Sequence, residues 1–190
     1  MSHLRVIAGE AKGRRLKLVP GEGTRPITDR VKEALFNILG PLVVNSLFLD
    51  LFAGTGSVGI EAISRGARRA VLVDRESRAI RTIHENLELT DLTDRAEVVR
   101  ADAFEYLRRG GIGPFDFAYV APPQYQGLWS RAIQDIDMNP LLLNPEAWVI
   151  AQLDPTGETD LELHSLQPFD RRRYGSTVLL FYEFGRRDAG

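Results

Sequence analysis

The chain has 190 residues, 44% hydrophobic and 26% charged, enough for one globular domain with a sizeable core. It has no cysteine and only His3, His84 and His164, too scattered for a metal cluster, so neither a disulfide framework nor a metal site is expected. Net charge is −2, yet residues 1–20 carry Arg5, Lys12, Arg14, Arg15 and Lys17 against Glu10, a local +4 on a body of −6, and such a basic segment can dock an anionic polymer.

No signal-peptide stretch opens the sequence and no run approaches the roughly 20 apolar residues that span a bilayer, so a cytoplasmic protein without membrane association is expected. Residues 5–8 and 14–19 read as two short strands around the glycine-bearing loop 9–13. This basic β-hairpin, residues 1–22, is expected as an appendage to a single domain spanning 1–190. Val31, Ala34, Leu35, Ile38 and Leu39 follow the spacing of one helix face, with Thr28 as N-cap and Gly40-Pro41 as terminator. The chain then alternates: strand 47–51, helix 57–65, strand 70–74, helix 77–89, strand 96–100, helix 103–109, strand 115–120. Short apolar runs between helices predict parallel strands joined by right-handed crossovers and buried on both faces. A helix at 128–136, a strand at 148–153 and a last apolar run at 177–184 follow, the last two able to pair antiparallel. The expected fold is α/β: a Rossmann-like doubly wound sheet, mostly parallel with an antiparallel closing strand, plus the hairpin.

The first strand of the alternation runs into Phe52-Ala53-Gly54-Thr55-Gly56-Ser57-Val58-Gly59, which opens a helix. Ligands of open α/β sheets bind beyond the carboxyl ends of the strands, and glycines there allow a tight turn and close approach to free helix N–H groups. Gly54, Gly56 and Gly59 also satisfy G-x-G-x-x-G, with Asp74 20 residues after Gly54, so NAD is an alternative ligand. Two features favour S-adenosylmethionine. Asp50 precedes the loop where a carboxylate can face a cationic ammonium but would repel a pyrophosphate, and Asp102 is placed to accept from an adenine amino group, with Ala103 and Phe104 beside the ring. Asp74, next to Arg75, would accept from the ribose hydroxyls. The candidate cofactor residues are therefore Asp50, Phe52, Ala53, Gly54, Thr55, Gly56, Asp74, Arg75, Asp102, Ala103 and Phe104. Asp74 and Asp102 are also suited to capping helices, a role that for Asp102 is compatible with ligand binding.

The fourth strand leads into Ala121-Pro122-Pro123-Gln124-Tyr125. With this loop, residues 5–14, 24–37, 50–56 and 61–67, and Arg173-Tyr174-Gly175-Ser176-Thr177, the chain resembles over nearly its whole length the RsmD-like 16S rRNA guanine-N2 methyltransferases of the class I S-adenosylmethionine-dependent group. The resemblance implies methyl transfer from S-adenosylmethionine to the exocyclic amine of a guanine, on 16S rRNA or an assembling small ribosomal subunit, and a monomer is expected. Members carry Asp, Asn or Ser, then Pro-Pro, then an aromatic residue in this loop. The first side chain and the next carbonyl accept the amine N–H groups, the prolines stiffen them, and the aromatic stacks on an extruded base.

This chain departs at both ends: Ala121 has no side-chain acceptor, and Gln124 takes the aromatic position with Tyr125 one residue later. Asp116 begins the same strand, some 16 Å away at about 3.3 Å per residue, too far to substitute. The expected arrangement has the carbonyls of Ala121 and Pro122, with the Gln124 amide, holding the amine, Pro123 stiffening the loop and Tyr125 stacking on the base. Arg5, Lys12, Arg14, Arg15 and Lys17 are expected to contact RNA phosphates, with Arg25 and Arg30 nearer the catalytic face and Arg171-Arg172-Arg173 as a second basic run. Trp129 and Trp148 are expected to pack rather than stack on bases. The missing acid leaves open a methyltransferase-like RNA-binding protein without catalysis, and the glycine loop leaves open an NAD-dependent enzyme.

Overall fold

The computed structural model describes residues 3–21, 26–124 and 126–185. Helix α1 (Asp29–Leu39) begins where the Thr28 hydroxyl accepts the Val31 N–H at 3.3 Å, and Gly40 ends it. There follow β1 (Leu47–Leu51), α2 (Ser57–Ser64), β2 (Arg69–Asp74), α3 (Ser77–Thr90), β3 (Ala96–Arg100), α4 (Ala103–Arg109), β4 (Phe115–Val120), α5 (Leu128–Asp137), β5 (Leu143–Leu153), β6 (Leu166–Tyr174) and β7 (Thr177–Phe184).

The strands form one sheet in the order β3-β2-β1-β4-β5-β7-β6. The first five are parallel, and β7 pairs antiparallel with both β5 and β6. Helices α1, α2 and α3 cover one face through Leu35, Phe36, Ile60, Ile63, Ile83 and Leu87, while α4 and α5 cover the other through Phe104, Leu107, Ile133 and Ile136. Strand order reverses between β1 and β4, and in such sheets the crevice above that reversal is where ligands bind.

Beyond the earlier start of β5, at Leu143 instead of 148, the structure departs from the sequence reading in two places. Strand β6 was not anticipated, because Leu166-Gln167-Pro168-Phe169-Asp170-Arg171-Arg172-Arg173-Tyr174 has a proline and no apolar alternation. Edge strands tolerate both, and the register shifts between Pro168 and Asp170. The buried Asp137 fixes the entry to this strand by accepting the N–H groups of His164, Ser165 and Leu166 at 2.8, 2.7 and 2.7 Å.

The N-terminal segment is the second departure. In place of two strands there is one bridge, Arg5 to Arg15, with the Val6 N–H on the Arg14 carbonyl and the Leu16 N–H on that of Leu4. The segment is not an appendage either, since Leu4, Val6, Ala11 and Leu16 are buried in the core beneath α1 and α2. Its outward N–H groups are satisfied by helix α2 instead of by a strand: Ile7 and Ala8 donate to Glu61 at 2.9 and 3.0 Å, and Ala11 to the Ser64 hydroxyl at 3.0 Å.

Lys32 of α1, fully buried, completes this junction. Its ammonium donates to the Arg5 carbonyl and to the Ser57 hydroxyl at 2.9 Å, and stands 3.3 Å from the Glu61 carboxylate, which also holds Arg65 at 2.8 Å. Burial pushes the Lys32 pKa down, and Glu61 opposes that shift. Removing one partner of a buried pair strands the other charge, so Lys32→Met is expected to lower unfolding free energy in urea by about 3–5 kcal/mol. Lys32→Met/Glu61→Leu should not recover the loss, because the Ile7 and Ala8 N–H groups then lose their acceptors; recovery would show that the junction rests on the ion pair alone.

Candidate active site

The loop after β1 is held from three sides. Ala53 donates its N–H to the Val73 carbonyl at 2.9 Å, Gly54 donates to the Asp74 carboxylate at 2.9 Å, and the Thr55 carbonyl accepts from the Asn86 side chain of α3 at 2.9 Å. Gly54 has φ +57, and a Cβ there would stand in open space, so this glycine serves the turn and leaves room above it. Gly59 serves packing, because a Cβ would lie 2.8 Å from Leu72 Cδ2. Asn86 was missed in the sequence, although its signal is there: an amide on the buried stripe of α3 beside Ile83 and Leu87. It also bonds both backbone polar groups of Lys17, tying the N-terminal segment to the glycine loop.

The three predicted acids take different stations. Asp50 lies beneath the loop, 1% exposed, and accepts the Gly59 N–H at 2.9 Å. Burial, which disfavours the ionised form, pushes its pKa up to about 7, with the Gly59 bond opposing and the Asp74 charge adding. Asp74, half-buried at the end of β2, accepts Gly54 N–H on one oxygen and Glu76 N–H on the other, both at 2.9 Å. Asp102 caps α4 through one oxygen, Oδ1, which accepts Phe104 and Glu105 N–H at 3.0 and 3.1 Å.

Phe52 meets Phe104 edge-on with centroids 6.0 Å apart, and the Arg131 guanidinium of α5 lies over the Phe104 ring at 3.8 Å. Thr55 is nearly buried and its hydroxyl accepts the Ser57 N–H, Gly56 provides the left-handed entry to α2, and Ala103 is buried at the start of α4. Arg75 is exposed and pairs with Glu76 at 3.1 Å.

Above β4 the loop continues with Ala121 half-buried, Pro122 buried, and Pro123 and Gln124 exposed; Tyr125 lies outside the described residues. Pro122, Pro123 and Gln124 line a cavity of about 300 Å³ together with Trp129, Gln152 and Asp154. Trp129 packs as expected, donating its indole N–H to the Gly157 carbonyl at 3.0 Å. Asp154 accepts the N–H and hydroxyl of Thr156 at 2.9 and 2.6 Å, and those bonds hold its pKa below the usual range. Asp116 is at the far end of β4, bonded to the Leu47 N–H and to Asn144 at 2.7 and 2.8 Å.

Much of the basic N-terminal segment is engaged by the protein itself. Arg5 pairs with Asp29 at 3.0 Å, Lys17 with Glu85 at 2.8 Å, and Arg14 donates to the Leu89 carbonyl at 3.3 Å, while Lys12 and Arg15 are exposed. Arg25 lies outside the described residues. Arg30 is exposed at the start of α1, its guanidinium 6.0 Å from the Tyr174 ring. In the second basic run Arg171 pairs with Glu158 and Arg172 with Asp170. No group of His, Asp or Glu suited to a metal ion occurs among the described residues.

Comparison with known proteins places this architecture. The family model described as Conserved hypothetical protein 95 matches residues 4–183. Ribosomal RNA small subunit methyltransferase D of Escherichia coli (strain K12) is 35% identical over 166 residues, covering 85% of this chain and 82% of that protein. Bacillus subtilis (strain 168) YlbH is 36% identical over 181 residues, covering 95% and 98%. The solved structure of Escherichia coli yhhF superposes with a TM-score of 0.85 at 31% identity, covering 96% of this chain and 98% of that one.

The raised pKa of Asp50 sets a pH dependence whose sign follows from proton binding. The folded chain keeps this proton from about pH 4 to about pH 7 while the unfolded chain releases it, so stability falls as pH rises through that window. Asp50→Asn keeps an acceptor for Gly59 and removes the titration. Thermal unfolding across this window should show Tm of the parent falling by several degrees relative to the variant (~2–4 °C per kcal/mol for a domain of this size); parallel profiles would contradict the assignment.

Proposed function

The chain belongs to the Conserved hypothetical protein 95 family, and we propose that it is an S-adenosylmethionine-dependent methyltransferase acting on the exocyclic N2 amine of a guanine in small-subunit rRNA. The observation that carries this reading is the placing of the glycine loop and the Pro122-Pro123 loop at the carboxyl ends of β1 and β4, neighbours at the reversal of strand order.

The residues around the glycine loop fit the cofactor. Gly54 leaves open space, Asp74 keeps lone pairs beyond its two backbone bonds, and a cationic group near Asp50 favours the charged carboxylate that burial disfavours. A pyrophosphate would do the reverse, which sets the NAD reading aside. Asp74 then accepts from ribose hydroxyls, Asp102 accepts from the adenine amine through the oxygen not used in capping, and Phe104 borders the ring with Arg131 behind it. Bound there, S-adenosylmethionine supplies a methyl group on a cationic sulfonium.

The chain's own task is to aim the amine. A guanine amine is a poor nucleophile because its lone pair is delocalised into the ring, so positioning supplies much of the rate. The carbonyls of Ala121 and Pro122, stiffened by consecutive prolines, accept its N–H groups, with the Gln124 amide beside them and Tyr125 stacking on the extruded base. Lys12, Arg15 and Arg30, all exposed, hold phosphates. A monomeric cytoplasmic enzyme within a single domain completes the reading; no helix among the described residues is long and apolar enough to cross a membrane.

Incubation with methyl-labelled S-adenosylmethionine and small-subunit rRNA, naked and protein-loaded, tests it. Labelled N2-methylguanine is expected, with Asp74→Ala reducing transfer about tenfold or more, the usual effect of losing a hydrogen bond to a charged group. Cofactor binding without transfer to either RNA would instead favour an RNA-binding protein that has lost catalysis.

A further inference from the structure

We propose that the side-chain amide of Gln152 accepts one N–H of the substrate amine, in the place where the Ala121 side chain offers no acceptor, and that Tyr119 is the residue that positions it. The proposal rests on the methyltransferase reading above.

The register of β4 and β5 pairs Val120 with Ala151, so the next step sets Ala121 beside Gln152. Side chains alternate along a strand, which puts Tyr119 and Ala121 of β4 on the same sheet face as Ile150 and Gln152 of β5. On that face the Tyr119 hydroxyl donates to Gln152 Oε1. Tyr119 is only 2% exposed, whereas Gln152 is half-buried and lines the cavity shared with Pro122, Pro123 and Gln124.

The amide is therefore anchored from inside the protein on a residue that lines the cavity. An amide oxygen has two lone pairs; Tyr119 takes one, leaving the other for an N–H donor. The other carboxylate or amide acceptors lining the cavity are less suited. Asp154 keeps Oδ2 free but lies beyond the end of β5, two positions past the residue in register with Ala121, and Gln124 is exposed on the loop itself.

In the reaction one amine N–H donates to Gln152 Oε1 rather than to the Ala121 carbonyl, and the other to the Pro122 carbonyl, which turns the nitrogen lone pair toward the methyl group. The N–C bond forms from that lone pair, and the S–CH3 bond breaks with its electrons remaining on sulfur. The proton then leaves the nitrogen for water, because an amide is not a base.

The test uses the full chain and a short RNA spanning the base mapped in the preceding experiment, with guanosine or with inosine, which lacks only the N2 amine, at that position. Gln152→Ala is expected to lower kcat about tenfold to a hundredfold, as for loss of one buried hydrogen bond, with binding of S-adenosylhomocysteine retained. The parent should bind the guanosine RNA several-fold more tightly than the inosine RNA, and in Gln152→Ala the ratio should fall, leaving only the part that the Pro122 carbonyl contributes. Adding Ala121→Asp to Gln152→Ala should restore most of the rate, and Tyr119→Phe should lower kcat with KM little changed. If Gln152→Ala does not bind S-adenosylhomocysteine, Gln152→Met, of similar volume and without an acceptor, replaces it. A variant with parental kcat, an unchanged guanosine-to-inosine ratio, or a double variant that is not rescued would each overturn the assignment. No transfer by the parent would overturn the methyltransferase reading as well, which separates the two failures.

Discussion

The buried contact between Lys32 and Glu61 is the constraint on which the rest of this face of the molecule depends. A charge with no exposure is tolerated only when paired and hydrogen-bonded, and here one carboxylate satisfies an ammonium, a guanidinium and two backbone N–H groups. The partners come from the N-terminal segment, α1 and α2, so the three cannot slide independently. Because Lys32 also bonds Ser57, the first residue of α2, the junction fixes the place where the glycine loop becomes helix.

That loop shows how support and function share residues. Asp50, Asp74 and Asn86 belong to β1, β2 and α3, and each bonds the backbone of the loop or of the helix turn that follows it. Two of them were picked out in the sequence as ligand contacts, and both turn out to hold the protein's own N–H groups first. A carboxylate that shapes a loop while keeping lone pairs for a ligand is pre-organised for binding, which lowers the cost of ordering the site when the ligand arrives.

What was legible in the sequence is what strict local rules control. Alternating apolar runs gave the parallel strands β1 to β4 and the helices between them, Thr28 and Asp102 cap as their residue types dictate, and the runs at 148–153 and 177–184 pair antiparallel. What escaped depends on partners distant in sequence. Strand β6 owes its place to β7 and to the three bonds of Asp137, not to its own pattern. The basic residues at the N-terminus advertised phosphate binding, but Asp29 and Glu85, 24 and 68 positions away, take two of them. Gln152 stood in an apolar run that otherwise reads as plain core, and only its register against Ala121 gives it meaning.

Across β1, β4 and β5 the sheet face under α1 and α2 is divided into two layers. The lower one is aromatic: Phe48, Phe117 and Trp148 follow one another with centroids 6.0 Å apart. The upper one, two residues further along β1 and β4 and four along β5, is polar, with Asp50 opposite Tyr119 and Tyr119 bonded to Gln152. A fold selected for stability alone gains by continuing the aromatic layer upward, since burying a carboxyl and a phenol is costly even when both are bonded. On this face, polar side chains placed at the carboxyl ends of the strands, where the crevice opens, are what a fold gives up in local stability when it builds a site. The row also runs from beneath the glycine loop to the wall of the cavity at Pro122 and Pro123, so in the proposed reaction the two halves of the site are aligned by the register of three adjacent strands.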